Sequence, residues 1–152
     1  VAVTDPSFAF SLERVREVRV HQEDLAREAF AASLTLRARG VALLADAQAR
    51  AAAARQQAVT ENAARTGADL IATQAWLERV QRTQEQAQID LGQHEAAVAA
   101  RRADLTSAGQ RRQALERLKE RQRAAHRTKS ARREAGVLDE IAINNHVRRV
   151  AS

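Results

Sequence analysis

Apolar residues recur along most of this chain at intervals of three and four, the spacing that gathers them on one face of an α-helix. Two such seams stand out. The first runs Val15, Val18, Gln22, Leu25, Ala29, Ala32, Leu36, Gly40, Leu43, Ala47, Arg50, Ala54 and Ala58, with Gln22 and Arg50 as polar defects. The second runs Leu70, Thr73, Leu77, Val80, Gln84, Ala87, Leu91, His94, Val98, Arg101, Leu105 and Ala108, and Leu115 and Leu118 continue it. The pattern predicts helix one over about 11–65, a tip at about 66–69 and helix two over about 70–149. The expected fold is all-α: a long antiparallel two-helix coiled-coil hairpin, one domain spanning 1–152, with a C-terminal single-helix overhang.

A turn centred on Gly67 makes facing positions sum to about 134. Ala29 then faces Leu105, Leu36 faces Val98, Gly40 faces His94 and Leu43 faces Leu91. Further along, Ala47 faces Ala87, Arg50 faces Gln84, Ala54 faces Val80 and Ala58 faces Trp76. Several pairs set small against large, as close packing asks. The Arg50–Gln84 pair reads as a register-fixing polar contact. Gly67 is expected in the left-handed conformation that ends helix one, Asp69 as the cap of the returning helix, and Ser11 as the cap of helix one. Trp76 closes the thin end of an alanine-rich seam. Helix one should measure roughly 80 Å at 1.5 Å per residue. By the same register residues beyond about 124 have no partner on helix one, and Gly136 is expected to loosen that segment.

Composition narrows the class. The hydrophobic fraction is 45%, but alanine supplies much of it, and aromatics are only 3%. With one proline and five glycines there is little to build turns. Such a chain zips a narrow seam and encloses no wide core. There is no cysteine, so thiolate chemistry and disulfides are out. No run of about 18 apolar residues exists, so no transmembrane segment is expected. The N-terminus lacks the basic and apolar regions of a signal peptide. The absence of Met suggests that Val1 is a literally translated GTG start, and 23 Arg against 2 Lys points to a GC-rich bacterial coding sequence.

The net charge of +6 is unevenly placed. Residues 1–100 carry 11 Lys/Arg against 13 Asp/Glu, a balance of −2, and residues 101–152 carry 14 against 6, a balance of +8. An anionic partner would feel the C-terminal third first. The basic run 111–134 is open to four readings. It can be a solvated helix face with weak i,i+4 pairs, a phosphate-binding helix, or a set of arginine forks for a carboxylate-lined protein. The phosphate reading lacks aromatic stacking residues and any sequence-reading fold signal. The fourth, membrane adsorption, ranks last, because alanine supplies no large apolar face. Residues 136–149 differ: Val137, Leu138, Ile141 and Ile143 cluster aliphatics on a segment without an intramolecular partner, a mark of interaction surface or else of a flexible tail.

Candidate chemistry is sparse. His21, His94, His126 and His146 are not set at metal-ligand spacing, and His94 reads as a seam residue opposite Gly40. No glycine pattern suits a phosphate loop, and no serine sits on a nucleophile elbow. No enzymatic activity, cofactor, metal or small-molecule substrate is expected.

The lead-in "FAFSLERVREVR", the segment "IATQAWLERV", the run "LERLKERQRAAH" and the tail "LDEIAINN" together resemble the flagellar FliJ family, the coiled-coil stalk of the type III export apparatus. The likeness covers nearly the whole chain. It implies a bacterial flagellum-biogenesis and motility protein that works in protein transport. Its implied partners are the export ATPase hexamer, whose activity it promotes, the membrane-embedded export gate, and export chaperones. The implied location is cytoplasmic, peripheral at the inner face of the membrane near the flagellar base. It marks Arg117, Arg121, Gln122, Leu138, Asp139, Glu140 and Ile141 as candidate ATPase-binding residues. Trp76, Arg82, Gln86 and Ile89 are the candidate export-gate residues. Family members can carry aromatics on the outer surface near the tip, where this chain has Arg82, Gln86 and Gln93. Virulence-type secretion stalks share the architecture. The alternatives are a basic coiled coil that binds nucleic acid, which is not favoured, and a structural homodimer of continuous rods.

Overall fold

The computed structural model describes residues 8–60 and 66–150 of the chain. Two α-helices account for nearly all of them, α1 (Glu13–Thr60) and α2 (Gly67–Val150), and no strand occurs among the described residues. An Ala-, Arg-, Gln- and Glu-rich chain favours this outcome, because these side chains lose little rotamer freedom in a helix.

The helix starts differ from expectation. Ser11 and Leu12 form a turn, the Glu13 N–H bonds the Phe10 carbonyl at 3.1 Å, and α1 begins at Glu13, two residues past the expected start near residue 11. Helix α2 begins at Gly67, three residues ahead of the expected start. Its cap is Thr66. The Asp69 N–H bonds Thr66 Oγ1 at 3.3 Å, while Asp69 Oδ2 accepts the Thr66 N–H at 2.9 Å and its hydroxyl at 2.6 Å. This reciprocal pair is a capping box with Asp in the third helical position. Asp69 does cap the helix, from inside it. Gly67 is helical, and no described glycine has a positive φ, so it does not play the left-handed role expected of it. Residues 61–65, where helix one was expected to end, lie outside the described residues. Gly136 sits within α2, which runs on through it.

Contacts group the chain into two compact units: a central one, Glu23–Ala108, and a terminal one made of Val1–Gln22 and Gly109–Ser152. In the central unit α1 and α2 run antiparallel. Arg37 Nε lies 3.7 Å from Glu95 Oε1, and Gly40 packs against His94 and Leu91. The α1 residues that turn inward are Ser33, Gly40, Leu44, Ala47, Ala51 and Ala54. The buried Ser33 hydroxyl donates to the Phe30 carbonyl at 2.7 Å, which spares it an unpaired polar atom. On α2, Leu91 is buried, and Thr73, Leu77, Val80, Gln84, Ala87, His94, Val98 and Leu105 are half-buried.

The second seam therefore holds in the central unit, apart from Leu70 and Arg101, which are exposed. The first seam holds only in part. Gly40, Ala47 and Ala54 are buried, with Ala29 and Ala58 half-buried. Leu25, Leu36 and Leu43 are exposed, and Leu44, one residue on, is buried in place of Leu43. In the terminal unit Val15 and Val18 are exposed while Arg16, Arg19 and Val20 are half-buried. The inward face of α1 is thus rotated from the expected stripe over much of its length.

The terminal unit is antiparallel too, but it is held by different means. Phe10 is buried, Lys119 Nζ stands 6.0 Å from its ring centroid, and the Phe8 and His126 rings meet at 5.8 Å between centroids. The later part of α2, residues 131–147, is exposed throughout.

Candidate functional site

A chain of alternating charges fastens the terminal unit. Glu13 Oε1 accepts from Arg16 Nη2 at 2.6 Å and from Arg16 Nε at 2.8 Å, while Arg16 Nη1 donates to Glu116 Oε1 at 3.0 Å. Lys119 Nζ donates to the other Glu13 oxygen at 2.8 Å. The four side chains form one connected network near the surface, and a network holds better than an isolated surface pair. Hydrogen bonds from Arg16, then from Lys119, hold the Glu13 carboxyl below its ordinary value, and Glu13 and Glu116 in turn raise Arg16. The sequence reading passed over this cluster. The signal was available: 13 with 119 and 16 with 116 each sum to 132, close to the register expected from Gly67.

The candidate ATPase-binding residues all lie on α2 in this unit. Arg117 and Arg121 stand one turn apart, flanked by Glu116 and Glu120, around a shallow hollow. Gln122, Asp139 and Glu140 are exposed, as are Leu138 at 66% and Ile141 at 51%. From Arg117 to Ile141 the helix rises about 36 Å, and Arg121 and Ile141 point to nearly opposite sides at about 100° per residue. The structure does not gather these residues into one patch. It separates a cationic face near residues 117–121 from an aliphatic segment, where Ile143 and Val147 are also exposed.

The candidate gate residues belong to the central unit. Arg82 and Gln86 line a groove of about 570 Å³ between α1 and α2, together with Gly40, Leu43, Ala47, Thr83, Asp90 and His94. Gln86 Nε2 donates to Asp90 at 2.8 Å. Helical spacing puts Arg82, Gln86 and the exposed Ile89 on one side of α2, whereas Trp76 is half-buried and about 120° away from Arg82. Three of the four residues are brought together.

Two facing pairs can be checked directly. A Cβ built on Gly40 would lie 3.0 Å from His94 Cδ2 and 3.4 Å from Leu91 Cδ1, so glycine makes room for the imidazole and for Leu91, which was expected to face Leu43. The Arg50–Gln84 pair does not form. Arg50 Nε bonds Asp46 at 2.9 Å, and Gln84 Oε1 is buried with no hydrogen-bond partner among the described residues. An aspartate one turn away is a nearer partner than an amide across the seam.

Among the described residues no helix is long and apolar enough to cross a membrane, and no group of three or more His, Asp or Glu side chains is placed to hold a metal ion. In comparisons with known proteins, the family model described as Flagellar FliJ protein matches residues 8–151. Neither a curated protein nor a solved structure matches the chain.

Proposed function

The chain belongs to the flagellar FliJ family, and from that premise we propose that it is a non-enzymatic stalk of the flagellar protein-export apparatus that binds and activates the export ATPase ring. In this reading α1 and α2 close into one hairpin, and the end of α2 reaches past the start of α1 as a single helix. The observation that carries it is the exposure of every residue from 131 to 147, Val137, Leu138, Ile141, Ile143 and Val147 included, on a helix whose His126 ring meets Phe8 beside the start of α1.

The chemistry suits docking on a protein. Leu138 and Ile141 can be desolvated by a partner, the kind of burial that supplies binding energy. Arg117 and Arg121 present planar forks that pair with carboxylates, and they lie several turns before the aliphatics along α2, so they can set orientation while the aliphatics supply affinity. A stalk also needs no pocket, and these surfaces are open. Gln122, Asp139 and Glu140 are assigned to the same contact. Contact with the export gate is assigned to Arg82, Gln86 and Ile89, with Trp76 supporting the helix from the seam. Handling of export chaperones and a cytoplasmic position at the base of the flagellum complete the proposal.

The test is the hydrolysis rate of the cognate export ATPase with and without the full chain. Activation is expected, and Leu138→Ala with Ile141→Ala should weaken binding by roughly tenfold or more. No binding and no change in rate would overturn the stalk reading.

A further inference from the structure

The central unit leaves a heptad stripe of α1 unused. Leu25, Ala32, Leu36 and Leu43 are exposed and Ala29 is half-buried, and together they follow a helical stripe beside the line that packs on α2. The three leucines are 51%, 47% and 65% exposed, which is high for the large members of a coiled-coil face. This stripe has a property a random apolar face lacks: it is complementary to itself when reversed. With facing positions summing to 68, Leu25 meets Leu43 of a second copy, Ala32 meets Leu36, and Ala29 meets Arg39, large against small at the last two steps. In the same register Glu28 falls beside Arg39 of the other chain. Both are exposed, and neither forms an ion pair among the described residues, whereas neighbouring Arg27 is taken by Glu23 and Asp24.

We infer that this face is a homodimer interface, in which two copies pack α1 against α1 antiparallel about a two-fold axis near residue 34. A two-fold interface requires every contact to occur twice with roles exchanged, and the 25–43, 32–36 and 28–39 pairs satisfy that requirement. Opposite charges falling together select the antiparallel register over a parallel one, which would stack Glu28 on Glu28 and Arg39 on Arg39. The stripe ends where Asp46 and Arg50 bond each other, so the interface is short and the dimer is weak and concentration-dependent. The inference does not depend on the stalk reading.

Sedimentation equilibrium of the full chain across the micromolar to millimolar range tests it. The expected result is a monomer–dimer equilibrium whose Kd rises roughly tenfold or more in Leu36→Glu, with helicity unchanged because the position is exposed. Glu28→Arg and Arg39→Glu should each weaken the dimer, and the double exchange should restore it. Because the chain has no native cysteine, Thr35→Cys, beside the axis, should oxidise to a cross-linked dimer faster than Ala38→Cys on the far side. A monomer at all concentrations overturns the inference, including one that captures some other helix. So does a dimer indifferent to Leu36→Glu, a double exchange that fails to restore association, or equal cross-linking at 35 and 38.

Discussion

The central and terminal units pair the same two helices by opposite means. In the central unit the seam is made of small residues: Gly40 packs against Leu91 and His94 on α2, and Ala47, Ala51 and Ala54 are buried further along. In the terminal unit Glu13, Arg16, Glu116 and Lys119 alternate in sign across the pair, with Phe8 and Phe10 as the apolar fasteners. The first arrangement depends on fit, which salt and pH hardly touch. The second depends on charges at the surface, which salt screens over about 8–10 Å. Packing fastens the central unit and a charge ladder the terminal one.

The sharpest break in the central unit is Leu91→Ala. Leu91 is 8% exposed, and truncating a buried leucine leaves a cavity that costs about 2–3 kcal/mol, read as a lower midpoint in urea unfolding followed by circular dichroism. A loss below about 0.5 kcal/mol would mean the alanine seam closes without it. Gln84→Leu should move the other way, raising stability by about 1–2 kcal/mol, because it removes a buried oxygen that has no partner among the described residues.

Gly40→Ala should change little. The helix gains up to about 1 kcal/mol from losing a glycine, offset by the new Cβ 3.0 Å from His94 Cδ2. In a His94→Ala background the same substitution should stabilise by about 0.5–1 kcal/mol, since the opposing contact is gone. Equal effects in both backgrounds would show that His94 does not set the approach of the helices there.

The smallest effect is confined to the terminal unit and appears with acid. The Glu13 carboxyl is held below its ordinary value of 4.5, first by Arg16 and then by Lys119. A lowered carboxylate stabilises the folded form above about pH 4.5 and loses that contribution as pH falls further, through its folded value. Amide exchange at the start of α1 should therefore quicken below pH 4.5, with no matching change around Leu91, and Glu13→Gln should flatten the response. High salt should loosen the same amides at neutral pH.

How much of this was legible in the sequence differs between the helices. On α2 the spaced residues Val80, Leu91, Val98 and Leu105 stand among Gln, Arg and Glu, so only one stripe could face inward, and it does. On α1 alanines and leucines occupy more than one face. A stripe through Leu25, Leu36 and Leu43 fits the periodicity as well as the one through Phe30, Ser33, Leu44 and Ala51 that α2 covers. The candidate residues could be named from the sequence, but the surfaces they share or do not share could not. Arg82, Gln86 and Ile89 do share a side of α2, whereas Arg121 and Ile141 do not, and a flat residue string conceals such angles.

The sequence by itself determined that the chain is helical, that two helices pair antiparallel in a register within about two residues of that set by Gly67, and that Gly40 meets His94. Helix propensity, 3–4 spacing and side-chain size are local or pairwise properties, and one chain carries them in full. The tertiary structure decided which side of α1 turns inward and where Arg50, Gln84 and Glu13 find or lose partners. That choice is made by the fit of whole side chains across the seam. When two faces of a helix are almost equally apolar, only the shape of the opposing helix distinguishes them.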